Sequence, residues 1–350
     1  METPLLNEHR AAHAQLAEYH GCLLPEKFSD LATEYRAAKE TVAIFDTNWH
    51  AIFSLSGPDR VRYLNAVVSN DIKSVGEAYG TRALLLNPQG HILAELEVYA
   101  IAEKLLVRTH ASVRERTFAT LDKYIIMDDV TLEDLTEQLG SFAVEGPQAG
   151  TVVAQACGLA LEGFSELANA DFPIDGVPCH LIRHSHFGGM GAEIIAPREH
   201  LGLLWRSMHA RVHAAHGASI GMATLNALRL EAGIPWFPDD FNDTVIPHEA
   251  SLEATHVSFT KGCYTGQEIV ERVRSRGHVN RRRILLTFSG EAAPASGTKL
   301  RVAEAEVGYV TSAALSPASG KAIGMGYIRR EHNAAGSVLE FDGGTATVSS

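Results

Sequence analysis

The chain has 350 residues, 45% hydrophobic and 21% charged, a globular composition that excludes disordered, collagen-like and membrane classes. At about 150 residues per domain the length allows two or three domains, each able to build a core without staples. Thirty Lys and Arg against 42 Asp and Glu leave a net charge of −12, which disfavours nucleic acid and anionic lipid as general partners.

The N-terminus has neither the basic start nor the apolar core of a secretory signal, and no apolar run approaches the ~18 residues needed to span a bilayer. Cys22, Cys157, Cys179 and Cys263 show no CxxC spacing, so a zinc ribbon, a redox pair or a disulfide framework is not expected, and the reading is a cytoplasmic protein. Residues 5–40 read as helix interrupted near Gly21 and Pro25, with Glu34, Arg36, Lys39 and Glu40 forming a solvated face. Ala51 to Leu55 predicts a strand, and Ser56-Gly57-Pro58-Asp59 opens a helix whose apolar face is Leu64, Val67 and Val68. From Arg82 to Arg108 the pattern turns to β, with Asn87-Pro88-Gln89-Gly90 as a hairpin turn. A helix from Ser112, capped by that residue, follows.

A second strand-to-helix unit begins near Ser141 and carries Pro147 in the helix's first turn. Val177 to His184 and Ala192 to Ala196 predict strands, and Arg198 to His216 a helix with a core stripe of Leu201, Leu204, Trp205, Met208 and Val212. Beyond residue 281, short apolar segments between Gly, Pro, Ser and Ala turns predict a small antiparallel barrel, with Arg272 to Arg283 as the hinge before it.

Lys261-Gly262-Cys263-Tyr264-Thr265-Gly266-Gln267-Glu268 is the most unusual stretch. Two glycines allow tight turns, and Gln267-Glu268 starts a helix. Lys261 and the helix N-terminus would favour a Cys263 thiolate, whereas burial in a turn would make the thiol inert; chemistry alone leaves both open. Glu231, near a helix end before Gly233, faces the unfavourable end of the dipole and calls for a compensating partner: a nearby arginine or a ligand donor. Trp236 and Phe237 between prolines suit either a core or the wall of a flat heterocycle. Arg272, Arg274, Arg276, Arg281, Arg282 and Arg283 against Glu271 make a local +5 that fits an anionic partner, or pairing with Asp239, Asp240, Asp243, Glu249 and Glu253. Without interleaved aromatics the arginines do not point to nucleic acid. Two histidine groups, His180, His184, His186 and His209, His213, His216, invite a metal test; the second has ligand spacing on its helix but no carboxylate or Cys partner at helical spacing there, and no metal is expected.

The LysGlyCysTyr-x-GlyGlnGlu motif resembles the signature of the YgfZ family of folate-binding proteins, related to the glycine cleavage T-protein. Ile44-Phe45-Asp46, Asn87-Pro88-Gln89-Gly90, Val144-Glu145-Gly146-Pro147 and Leu228-Arg229-Leu230-Glu231-Ala232-Gly233 extend the likeness along nearly the whole chain. The resemblance implies an α+β, three-domain cloverleaf with a C-terminal antiparallel β-barrel: a first domain of residues 1–49 and 139–270 split around an inserted domain of 50–138, then a barrel at 277–350. It further implies tetrahydrofolate or a derivative, with or without a polyglutamate tail, bound by Glu231, Asn87, Tyr99 and Trp236. Cys263 would serve as a pocket-edge thiol in a role supporting iron–sulfur proteins or their assembly factors, with transient cluster contact at most, since a lone Cys cannot hold a cluster. The T-protein's aspartates after the Asn turn are absent: the run here is Gly90-His91-Ile92-Leu93-Ala94-Glu95. If Glu95 takes their place, folate-dependent aminomethyl transfer or demethylation is the alternative. A non-catalytic adaptor docking a protein through the Arg272 to Arg283 surface is a third reading.

Overall fold

The computed structural model describes residues 2–290 and 292–349. Its contacts divide the chain into two compact units, one of residues 1–64, 72–81 and 96–225, the other of 65–71, 82–95 and 226–350.

The first unit is built on a six-stranded sheet in the order Asn169–Ile174, Val177–Arg183, Gly191–Pro197, Leu139–Glu145, Ala43–Asp46, Ala218–Ser219, antiparallel except for the last pair. Ile44 pairs with Val144, so the sheet joins segments about 100 residues apart in sequence and encloses the intervening chain as an excursion. Helices Ala149–Cys157 and Arg198–Ala214 cover it, and the expected stripe of Leu201, Leu204, Trp205, Met208 and Val212 is buried in its core. The excursion forms a five-stranded antiparallel sheet in the order Gly80–Leu86, Ile92–Ile101, Lys104–His110, His50–Ser56, Thr131–Asp134. Residues 82–95, the tip of its first hairpin, count with the second unit.

The second unit contains the expected barrel, closed in the order Arg281–Phe288, Lys321–Arg329, Ala305–Ser316, Lys299–Val302, Val338–Phe341, Gly344–Val348. Leu286 pairs with both Gly324 and Val348, which closes the ring, and closure leaves no free sheet edge. Leu286, Phe288, Leu300, Val310 and Leu339 fill the interior.

Three local expectations are corrected. Residues 15–27 are not helical: Gln15–Tyr19 and Cys22–Lys27 form a hairpin closed at Tyr19 and Cys22, with positive φ at His20 and Gly21. Paired left-handed residues are the turn that matches strand twist, and cross-strand pairing outweighs the helix propensity of Gln, Leu, Ala and Glu there. Glu34 is not solvated. It is fully buried and accepts from the backbone N–H groups of Phe28, Ser29 and Gly221 and from Thr224 Oγ1 at 2.6–2.9 Å, enough donors to hold an internal carboxylate. Ser112 does not cap the helix near it; a His110 ring nitrogen accepts from the Ser112 N–H, and the α-helix runs Arg114–Lys123.

Candidate functional site

The signature loop and the Asn87 turn come together in the second unit. Asn87 Oδ1 accepts from the Gln89 and His91 N–H groups, and Gly90 closes the turn in a left-handed conformation at φ +78°. Gly266, at φ +83°, packs against that turn so closely that a Cβ would stand 2.7 Å from the Asn87 carbonyl oxygen. Glycine is demanded twice at this position, by φ and by contact. Gln267–Arg276 then runs as a helix with Glu268 in its first turn, and Tyr264 is buried before it.

Lys261 Nζ donates to the carbonyls of Asn65, Val68 and Asn70 and lies 5.0 Å from the Tyr264 ring centroid. Its charge is engaged with carbonyls at and just beyond the C-terminal end of helix Arg60–Val67 and anchors the loop. Cys263 is exposed, the only one of the four cysteines that is, and it precedes the helix by four residues, outside the reach of the dipole. Burial pushes the Tyr264 phenol up to about 12, and its hydroxyl has no hydrogen-bond partner among the described residues.

Glu95, on the strand after the Asn87 turn, meets His256 Nε2 at 2.9 Å, and His256 Nδ1 meets Thr255 Oγ1 at 2.7 Å. His256 is buried and the Glu95 side chain is a quarter exposed, so the carboxylate–imidazole pair has one wet end. The Ser69 hydroxyl fixes this segment by donating to the His256 carbonyl. His256 is the functional candidate that sequence reading missed. It ends a one-turn helix, Glu253–His256, too short to show periodicity in the sequence, and only folding brings it to Glu95.

Glu231 ends the helix Met222–Glu231 and accepts from Ser316 Oγ at 2.6 Å, a barrel hydroxyl that supplies compensation at the unfavourable helix end. Trp236 is half-buried, with the Arg229 guanidinium 4.8 Å from its ring centroid. Arg229 forms a buried ion pair with Asp240, which also accepts from the Trp236 N–H, Thr311 Oγ1 and Ser312 Oγ.

Tyr99, expected among the folate contacts, lies in the first unit and is fully buried, with its hydroxyl donating to Glu97. Around it is a buried charge cluster that sequence spacing did not show. Arg108, wholly enclosed, lies 2.7 Å from Glu193 and 3.2 Å from Glu97; His184 Nε2 meets Glu97 at 2.9 Å and stacks on His186 at 4.3 Å. Burial would raise the Glu193 carboxyl, but the Arg108 guanidinium and His186 hold it well below the usual range. His184, His186 and Glu193 converge within 4.8 Å, the carboxylate coming from a neighbouring strand rather than from helical spacing. Arg108 already neutralises that carboxylate, and a cation would have to share Glu193 with a guanidinium. His180 lies elsewhere, on Asp171 at 2.7 Å.

The arginine stretch is partly spent. Arg281 pairs with Glu249 and Arg282 with Glu253, two of the expected acidic partners, while Arg272 pairs with Glu268 of its own helix and Asp240 with Arg229. Arg274 lies near Glu271 and over Phe259, and Arg276 is exposed in the last helical turn, where cations suit the dipole.

Two family models match: the GCVT N-terminal domain over residues 5–261 and the glycine cleavage T-protein C-terminal barrel domain over residues 281–348. The aminomethyltransferase of Rubrobacter xylanophilus is 27% identical over 96% of this chain and 89% of its own length. That of Chlorobaculum parvum is 28% identical over 97% and 93%. The crystal structure of glycine cleavage system aminomethyltransferase T from Bartonella henselae shares the fold, with a TM-score of 0.91 at 22% identity, covering 100% of this chain and 97% of that one. Among the described residues, no helix is long and apolar enough to cross a membrane.

Proposed function

The chain belongs to the glycine cleavage T-protein family, and from that premise we propose that it binds tetrahydrofolate or a derivative and transfers a one-carbon unit, as an aminomethyltransferase does. The observation that carries this reading is the Glu95–His256 pair at 2.9 Å, on the strand that follows the Asn87 turn. A partly exposed carboxylate held by a buried imidazole is a general acid–base arrangement, and it takes the place of the family's missing aspartates. Bound tetrahydrofolate would supply the nitrogen that accepts the one-carbon unit.

The polar groups of the second unit fit such a ligand. Tyr264 Oη is buried and unpartnered among the described residues, the Glu231 carboxylate matches the paired N–H donors of a pterin, and Trp236 presents a half-buried ring. In this assignment His256 holds a proton at Nε2 against Glu95 and orients that carboxylate, whose quarter-exposed end is the group that exchanges a proton with the ligand, and Thr255 fixes the other ring nitrogen. Asn87 shapes the turn that presents this strand, since its side-chain oxygen is used by its own backbone. Calorimetry with tetrahydrofolate on wild type and Glu231→Ala tests the binding half: heat from wild type and at least about tenfold weaker binding by the variant are expected. No heat from either protein sinks the reading and leaves an adaptor.

A second reading rests on Cys263. As the exposed cysteine of the signature loop, it suits a YgfZ-type accessory role toward iron–sulfur enzymes, in which folate binding persists and the thiol does the work. Cys263→Ser separates the two. Loss of iron–sulfur enzyme activity in cells with aminomethyl transfer intact favours the accessory role; the reverse favours transfer.

A further inference from the structure

A cavity of about 460 Å³ lies within the second unit, between the C-terminal half of helix Gln267–Arg276 and the entry to the barrel. That volume suits a small organic molecule rather than a bare ion. Its lining gathers three guanidiniums, Arg274, Arg282 and Arg330, against one carboxylate, Glu253, with His248 and Phe259 beside them. Glu253 is committed to Arg282 through one oxygen at 2.5 Å, which holds that guanidinium in place, and Arg274 lies 3.5 Å from Glu271, so the surplus positive charge at the cavity rests on Arg330. Arg274 is held over the Phe259 ring at 4.3 Å, so two of the three arginines are pre-organised.

An independent observation points into the same space. His248 is 8% exposed, lines the cavity, and its Nδ1 has no hydrogen-bond partner among the described residues. Burial lowers its affinity for a proton, and Arg282 and Arg274 oppose protonation while Glu253 and Glu271 favour it. In the tautomer with its proton on Nδ1, a neutral His248 presents a buried N–H donor that lacks an acceptor, and an oxyanion supplies one.

We propose that this cavity is a binding site for a small organic oxyanion, a carboxylate or phosphate carried on a flat or apolar body that packs against Phe259. The site is independent of the one-carbon reading, since none of its residues is placed in that machinery.

Isothermal titration calorimetry of the full chain with phenyl phosphate, phthalate and inorganic phosphate tests it. The expected result is one-to-one binding of an aromatic anion with a Kd of about 1 mM or tighter, weakening as salt is added. Phenyl phosphate alone assigns a phosphate, phthalate alone a carboxylate, and both together the shared class. Arg330→Gln, a change at an exposed position, lowers affinity at least about tenfold with the thermal midpoint unchanged. Arg274→Gln does the same, and saturation shifts the His248 Nδ1 resonance in nitrogen-detected spectra. No binding of either aromatic anion, equal binding of inorganic phosphate, or affinity unchanged in both variants would overturn the proposal.

Discussion

The Asn87 carbonyl oxygen and Gly266 are in backbone contact: a Cβ at 266 would stand 2.7 Å from that oxygen, 3.1 Å from Leu86 Cβ and 3.3 Å from Gly90 Cα. Two motifs about 180 residues apart therefore form one surface, and Gly266→Ala should break it. The left-handed φ of +83° costs an alanine about 1–2 kcal/mol before any clash with backbone atoms is counted. We expect lower stability in urea together with weakened tetrahydrofolate binding. Full retention of both would mean that the turn and the loop are not coupled.

Glu95→Gln keeps the side-chain length and removes the charge beside His256. One-carbon transfer to tetrahydrofolate should fall about 10²–10⁴-fold, with folate affinity kept. Glu95→Asp retracts the carboxylate from the imidazole by one methylene and should lose about 100-fold through misplacement. A measured kcat unchanged in Glu95→Gln removes this pair from the chemistry.

Asp240→Ala strands the Arg229 guanidinium, which is 1% exposed, without its carboxylate. An uncompensated buried charge costs about 3–5 kcal/mol, so the urea midpoint should drop sharply. Asp240→Asn, which can still accept from Thr311 and Ser312, should lose less.

Acid should destabilise the first unit in two stages. Burial, with Arg108 beside it, keeps His50 neutral well below its ordinary 6.5, so the unfolded chain gains a proton the folded one refuses, and stability falls as pH drops below that value. Glu193 is depressed below its ordinary 4.5, so its contribution is full above that value and is lost as pH falls through the folded value. Stability by urea denaturation should be flat above about pH 7 and decline below. His50→Gln should reduce the first stage without abolishing it, since burial also lowers His180 and His209, and should leave the second stage unchanged; a wild-type profile with no fall between about pH 6.5 and 5 contradicts the assignment.

Iodoacetamide should label Cys263 faster than Cys22 and Cys179, whose thiols burial pushes up. Mass spectrometry after brief exposure should find one modified peptide, absent in Cys263→Ser. Equal labelling of Cys179, held at about 11, would contradict the burial seen here.

Much of this protein is set by short-range rules that a linear sequence carries. Asn87 to Gly90 reads as a hairpin turn because the Asn side chain and a left-handed glycine satisfy local backbone groups. The Leu201 to Val212 stripe and the barrel strands follow from period and punctuation. The signature loop was legible as a motif, with a glycine at 266. Where local preference conflicts with a distant partner, tertiary structure decides. Residues 15–27 have helix-forming composition and pair as strands, and Glu34 has a surface residue's identity but is buried because Gly221 and Thr224 bring donors to it. Glu95 with His256, and Arg108 with Glu97 and Glu193, join residues far apart in the chain. Such pairings depend on strand order and register, set by the sum of many burial contacts. No local pattern encodes that sum.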